Sequence, residues 1–89
     1  MWKYYFSKRS LKELDRSDIH TSDSIKQEIK NIGDWLNGES ALLVDIKKLK
    51  GKWKGYFRLR SGKTRVIFSF DKDDKIIKIH DIGTRGDIY

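Results

Sequence analysis

Between Phe57 and Phe70 apolar residues fall on alternate positions, and the run is broken once, at Ser61-Gly62. Phe57 and Leu59 alternate with Tyr56, Arg58 and Arg60; beyond the break, Thr64, Val66, Phe68 and Phe70 alternate with Arg65, Ile67 and Ser69. A period of two marks a strand with one buried face. Ser61-Gly62 is a two-residue hairpin signal. Such a hairpin must lay one face on a core, so the rest of the 89-residue chain has to supply the cover.

The cover is legible upstream. Ile25, Ile29, Ile32 and Leu36 recur at i, i+4, i+7 and i+11, which is one face of a helix. Thr21, Ser22 and Ser24 are candidate N-caps, Ser24 and Gln27 fit a capping box, and Asn37-Gly38 ends the helix. Ahead of it, Trp2 to Phe6 reads as a strand, and Ser7 caps a short helix over Lys8 to Leu14. Residues 39–52 read mostly as loop, with a turn of helix at Ser40 to Asp45. Asp71 to Asp74 forms a second turn, Lys75 to Ile82 a last strand, and Gly83 to Tyr89 a tail. The expected class is α+β, in the order β-α-α-β-β-β: a small antiparallel sheet with two N-terminal helices on one face, and residues 1–89 a single domain.

Charge locates the other face. Residues 46–70 hold nine basic and no acidic residues, whereas the flanks nearly balance, for a net +7. A single-sign block that also contains Trp53, Tyr56, Phe57 and Phe68 is too apolar for a tail and reads as a folded binding face. With Ser61-Gly62 as the loop, Arg58 pairs with Arg65, Arg60 with Lys63, Leu59 with Thr64 and Phe57 with Val66. Phe57, Leu59, Val66 and Phe68, joined by Ile77 and Ile79, then line the core. Tyr56, Arg58, Arg60, Lys63, Arg65, Lys78 and His80 share the opposite face, with Lys52 and Lys54 ahead of it and Arg85 and Tyr89 beyond the strand end. Opposed cations cost stability. Converging cations without an acid partner suit phosphates, and the aromatic residues suit stacked bases.

Other classes fall away. There is no cysteine, which removes disulfides and Cys-based zinc sites. His20 and His80 are the only histidines, and no well-spaced ligand set for a metal or for paired-carboxylate chemistry exists. No apolar run approaches the roughly 18 residues of a membrane span and no signal peptide is visible, so the expectation is a cytoplasmic protein without membrane contact or cofactor.

At these residues the chain resembles a known family. Lys48-Leu49-Lys50-Gly51, then Gly55 to Phe68 (GYFRLRSGKTRVIF), then Ile82 to Tyr89 (IGTRGDIY), preceded by Phe6 to Leu14 (FSKRSLKEL), are similar to the RelE/ParE toxin superfamily over nearly the whole length. The resemblance implies a RelE-like fold and a toxin of a type II toxin–antitoxin pair. RelE-like members are metal-independent endoribonucleases that cut mRNA in the ribosomal A site. ParE-like members poison DNA gyrase. The resemblance places family catalytic positions on Arg58, Arg65, Arg85 and Tyr89. It places Thr84 where many RelE-like chains carry histidine, and Tyr56 at a family basic position.

Internal attack on RNA needs a base for the 2′-OH, cations for the phosphorane and an acid for the 5′-oxygen. Arg58 and Arg65, with Arg85 assisting, suit the phosphate. Tyr89, or a lysine such as Lys54 or Lys63, suits the base; Arg85 or His80 suits the leaving group. Lys52, Lys54, Tyr56, Arg60, Lys63, Lys78 and His80 are the expected RNA contacts. The expected partners are mRNA, the ribosome and a cognate antitoxin that is acidic or presents an amphipathic helix. A ParE-like gyrase inhibitor and a non-catalytic RNA- or ribosome-binding module are the competing readings.

Overall fold

The computed structural model describes residues 1–38 and 45–83. The described elements are β1 (Lys3–Phe6), α1 (Lys8–Arg16), α2 (Ile19–Leu36), β2 (Asp45–Lys48), a 3-10 turn at Gly51–Trp53, β3 (Phe57–Ser61), β4 (Thr64–Asp71) and β5 (Ile76–Gly83). The strands form one sheet in the order β1-β5-β4-β3-β2. β1 runs parallel to β5 and every other pair is antiparallel, so the sheet is mixed rather than purely antiparallel. The α+β class and the helices on one face stand: Leu14 of α1 and Ile25, Ile29 and Ile32 of α2 share one core with Leu59, Val66, Phe68, Ile77, Ile79 and Ile82.

Local signals placed α1 well. Ser7 caps it, its Oγ accepting from the Ser10 N–H at 3.1 Å. For α2 the start differs from expectation: Asp18 is the cap, accepting from the Thr21 N–H at 2.8 Å, and Thr21, Ser22 and Ser24 lie inside the helix. The first turn carries Ile19, which is exposed, so no apolar periodicity announces it. The helix ends as read, with Asn37 as C-cap and Gly38 in the left-handed region at φ +77°.

Two further expectations are corrected. Asp45 to Lys48 is a strand, not loop; the rest of the stretch read as helical, Ser40 to Val44, lies outside the described residues. Four residues with a single apolar side chain, Ile46, carry almost no strand signal of their own. They are extended because β3 offers an edge to pair with. In the hairpin, Ser61 pairs with Thr64, so the loop is Gly62-Lys63. Gly62 takes φ +59° at the first loop position, a conformation that Ser61 would resist.

The slip moves each β3 residue two places along β4, so it preserves which residues share a face. Phe57 now opposes Phe68, Leu59 opposes Val66, Arg58 opposes Ile67 and Arg60 opposes Arg65. The like-charge pair survives, but between Arg60 and Arg65 instead of Arg58 and Arg65, and Lys63 is in the turn.

α2 is seated on β1 through one close approach. Tyr4 Oη accepts from the Gly33 N–H at 3.2 Å and donates to the Lys30 carbonyl at 3.3 Å. A Cβ on Gly33 would stand 2.7 Å from that oxygen. Gly33→Ala should therefore destabilise by about 1–2 kcal/mol, where an open helix site would gain about 1 kcal/mol. Tyr4→Phe removes the obstructing oxygen, so the double variant should be more stable than the two single losses predict. Urea denaturation of the three proteins measures this coupling.

Candidate functional site

The sheet face away from the helices is built by register, row by row. In one row Asp45 opposes Arg60, Arg60 opposes Arg65, and Arg65 opposes Gly83. In the next, Lys47 opposes Arg58, Arg58 opposes Ile67, and Ile67 opposes Asp81. Further along, Ser69 opposes Lys78, and Lys78 opposes Tyr5 of β1. Ile67 is fully buried although it faces away from the helix-side core. β4 is the central strand, and the stem of Arg58 stands directly beside Ile67 on this face.

The register between β4 and β5 shifts between Ile67 and Phe68, so that His80 is an extra residue on β5. This bulge re-aims His80. Its carbonyl accepts from Ser7 Oγ at 2.7 Å, and its Nε2 lies 2.9 Å from Ser69 Oγ. Its ring meets Tyr56 edge-on at 4.5 Å between centroids, and Tyr56 meets Trp53 at 5.5 Å. One end of the face is thus cationic and the other aromatic.

The cationic end is not uniform. Arg65 is half-buried and has no carboxylate partner among the described residues. Arg58 differs from expectation. Its side chain is only 8% exposed, and its Nη2 donates to Asp45 Oδ1 at 3.1 Å. Its Nε is buried without a hydrogen-bond partner. The acids Asp45 and Asp81 both stand on a face expected to have none. Asp81 is paired with Arg9 of α1 at 3.4 Å.

The remaining sequence candidates occupy the rim. Lys52 lies in the 3-10 turn and Lys54 just after it, both at the aromatic end, whereas Lys63 is in the hairpin loop at the cationic end. Lys54 and Lys63 therefore cannot serve one reacting atom. Lys78 is exposed beside His80. Arg85 and Tyr89 lie outside the described residues. The sequence reading passed over Asp45, Ser69, Trp53 and Tyr5 as site residues. For Tyr5, 56% exposed in an aromatic strand, the alternation of Tyr4, Tyr5 and Phe6 was the available signal.

Burial, and after it the Lys78 ammonium, holds the His80 imidazole below its ordinary value. The unfolded chain then binds the extra proton first as pH falls below about 6.5. His80 thus contributes stability that is complete above that pH and is lost on acidification towards its folded value. His80→Gln keeps a polar partner for Ser69 and should flatten the dependence. Denaturation midpoints at pH 7.5 and 5.5 test it: an equal fall in both proteins would assign the effect to carboxylates.

Among the described residues no helix is long and apolar enough to cross a membrane, and no three His, Asp or Glu side chains gather as a metal site. Two helices cover one face of a five-stranded mixed sheet and arginines stand on the other. Residues 4–89 match the family model described as ParE toxin of type II toxin–antitoxin system, parDE, and the chain belongs to that family.

No curated protein matches the chain in sequence. Solved structures do match in fold. The archaeal RelE–RelB complex from Pyrococcus horikoshii OT3 is similar at 27% identity and a TM-score of 0.71, covering 97% of each chain. The RelB–RelE antitoxin–toxin complex from Methanococcus jannaschii is similar at 26% identity and a TM-score of 0.64, covering 89% of this chain and 87% of that one. The YoeB–YefM complex from Staphylococcus aureus, at 22% identity and a TM-score of 0.71, covers 92% of this chain and 94% of that one and shares the fold.

Proposed function

We propose that this chain is an endoribonuclease that cuts mRNA on the ribosome without a metal ion, and that an antitoxin silences it by covering the basic face. The observation that carries the reading is Arg65. It stands opposite Arg60 on an open sheet face, and no carboxylate pairs with it among the described residues. Like charges placed directly across a strand pair are unfavourable until an anion lies between them. A phosphate is that anion, and guanidinium groups remain charged throughout the reaction.

The proposed tasks divide along the face. Arg65, with Arg60 beside it, holds the scissile phosphate and stabilises the phosphorane charge. Along β4, Arg65 and Ser69 are about 13 Å apart at strand spacing, so the Ser69–His80–Tyr56 group serves a neighbouring nucleotide. Tyr56 and His80 offer ring surfaces for its base. This distance, and an imidazole that burial and the Lys78 ammonium bias towards its neutral form, argue against His80 as the acid for the leaving group. It argues likewise against Lys54 as the base. Proton transfer then falls to Tyr89 and Lys63, the latter in the hairpin next to the Arg60–Arg65 row, while Arg85 assists the leaving group by its charge. The ribosome supplies the alignment of the RNA, so modest acid–base groups suffice.

The antitoxin follows from charge and from the relatives, two of which were solved as RelE–RelB complexes and one as a YoeB–YefM complex. An acidic or amphipathic segment suits a face of this charge.

One observation favours a second reading, DNA gyrase as the target: the family model that matches the chain is the ParE one. Mapping mRNA 5′ ends after induction decides between them. Codon-phased cuts support the nuclease. A DNA-damage response without cuts supports gyrase poisoning, and neither response leaves a non-catalytic RNA or ribosome binder.

A further inference from the structure

We infer that the Asp45 carboxylate occupies a phosphate seat between Arg58 and Arg60, and that a phosphate of the bound strand displaces it. The inference rests on reading this face as a phosphate-binding surface. Asp45 stands directly across from Arg60 in the register and accepts a hydrogen bond from Arg58 Nη2 at 3.1 Å. An acceptor oxygen held by one guanidinium, on a residue directly across from a second arginine, is where a phosphate oxygen would go.

The pair is asymmetric. The Arg58 side chain is 8% exposed and locked in the sheet, whereas the Asp45 side chain is 57% exposed. Asp45 also sits on a four-residue edge strand held by one neighbour, β3. The acid can therefore give way to an incoming anion while the arginine stays. The contact is also incomplete. A carboxylate or phosphate facing a guanidinium can take two parallel N–H bonds. Here Asp45 takes one, and Arg58 Nε is buried with none. An orphaned buried donor of this kind is destabilising. A tetrahedral phosphate, with more oxygens than a carboxylate, can satisfy Nε and Nη2 together and still reach Arg60. Asp45 thus keeps a buried charge neutral in the free protein and yields to a better anion.

Charge bookkeeping gives the test a second readout. While Asp45 neutralises Arg58, a phosphate arriving there releases no counterion. Without Asp45 the same contact does, and each such contact steepens the dependence of log affinity on log salt by about 0.7 for a single strand.

The experiment measures binding of a 2′-O-methyl single-stranded RNA, which has no attacking hydroxyl, to wild type, Asp45→Asn and Asp45→Ala. Asp73→Asn makes the same net-charge change in the exposed β4–β5 turn and serves as the control. Both Asp45 variants should bind about tenfold tighter than wild type, with a salt slope steeper by about 0.7, and Asp73→Asn should do neither. In parallel, inorganic phosphate is titrated while the Arg58 Nε–H resonance is followed. It should shift at lower phosphate concentration in Asp45→Asn than in wild type. Weaker RNA binding by the Asp45 variants would make Asp45 a positioning residue for Arg58 and overturn the seat. An Arg58 resonance indifferent to phosphate in every protein would overturn it too. If phosphate moves Arg58 as expected but no protein binds RNA, the seat stands and the endoribonuclease reading falls.

Discussion

Arg65→Ala should lower the rate of the proposed mRNA cleavage by about 10²- to 10³-fold, the loss typical of removing one preorganised charge from a developing oxyanion. The same substitution leaves the fold intact. Arg65 is half-buried, lies on the face away from the helix-side core, and has no ion-pair partner among the described residues. Its loss relieves the opposition to Arg60, so stability should hold or rise by a few tenths of a kcal/mol. Activity and stability therefore move in opposite directions, which separates a functional residue from a structural one. Arg65→Lys keeps the charge but loses the planar fork, and should recover only part of the rate. The measurement is the yield of new mRNA 5′ ends after induction, alongside thermal melting of the purified variant. An Arg65→Ala protein that cuts mRNA at the wild-type rate would remove Arg65 from the reaction.

Phe68→Ala costs about 3–5 kcal/mol of folding stability. Phe68 is fully buried on the central strand, its ring stacked on Phe57 at 5.6 Å and tilted against Phe70 at 6.5 Å. Truncation leaves a ring-sized void under both helices, where neither the sheet nor the helix face can close in fully. For a small domain whose total stability is of order 5–15 kcal/mol, that is a large fraction. Urea denaturation should show a much lower midpoint at an unchanged slope. A loss below about 1 kcal/mol would mean that the aromatic cluster repacks around the gap. Phe70→Ala, at a half-buried position on the same strand, should cost less.

Much of this architecture was legible because local chemistry and tertiary structure agree there. The Ile25–Ile29–Ile32 stripe, the Ser7 cap and the alternation from Phe57 to Phe70 each specify one buried face without knowing the partner. The hairpin register was read one loop position early, yet every residue stayed on its face because the slip preserves parity. The start of α2 and the strand at Asp45 were missed for a common reason. Neither carries apolar periodicity: one depends on the Asp18 side chain, the other on an edge offered by β3.

The candidate site divides the same way. By itself the sequence determined that Arg60, Arg65, Arg58, Tyr56 and Lys78 share a face, since parity along three paired strands decides it. It also determined that this face carries much of the basic block of residues 46–70. Only the tertiary structure decided which of these cations is free. Asp45 is 13 residues from Arg58 in the chain and reaches it only because β2 docks beside β3. His80 meets Tyr56 only because a bulge inserts it out of register between Ile79 and Asp81. Side-chain pairing across strands depends on register and irregularity, which are set by what the whole sheet can bury and not by the composition of any one strand.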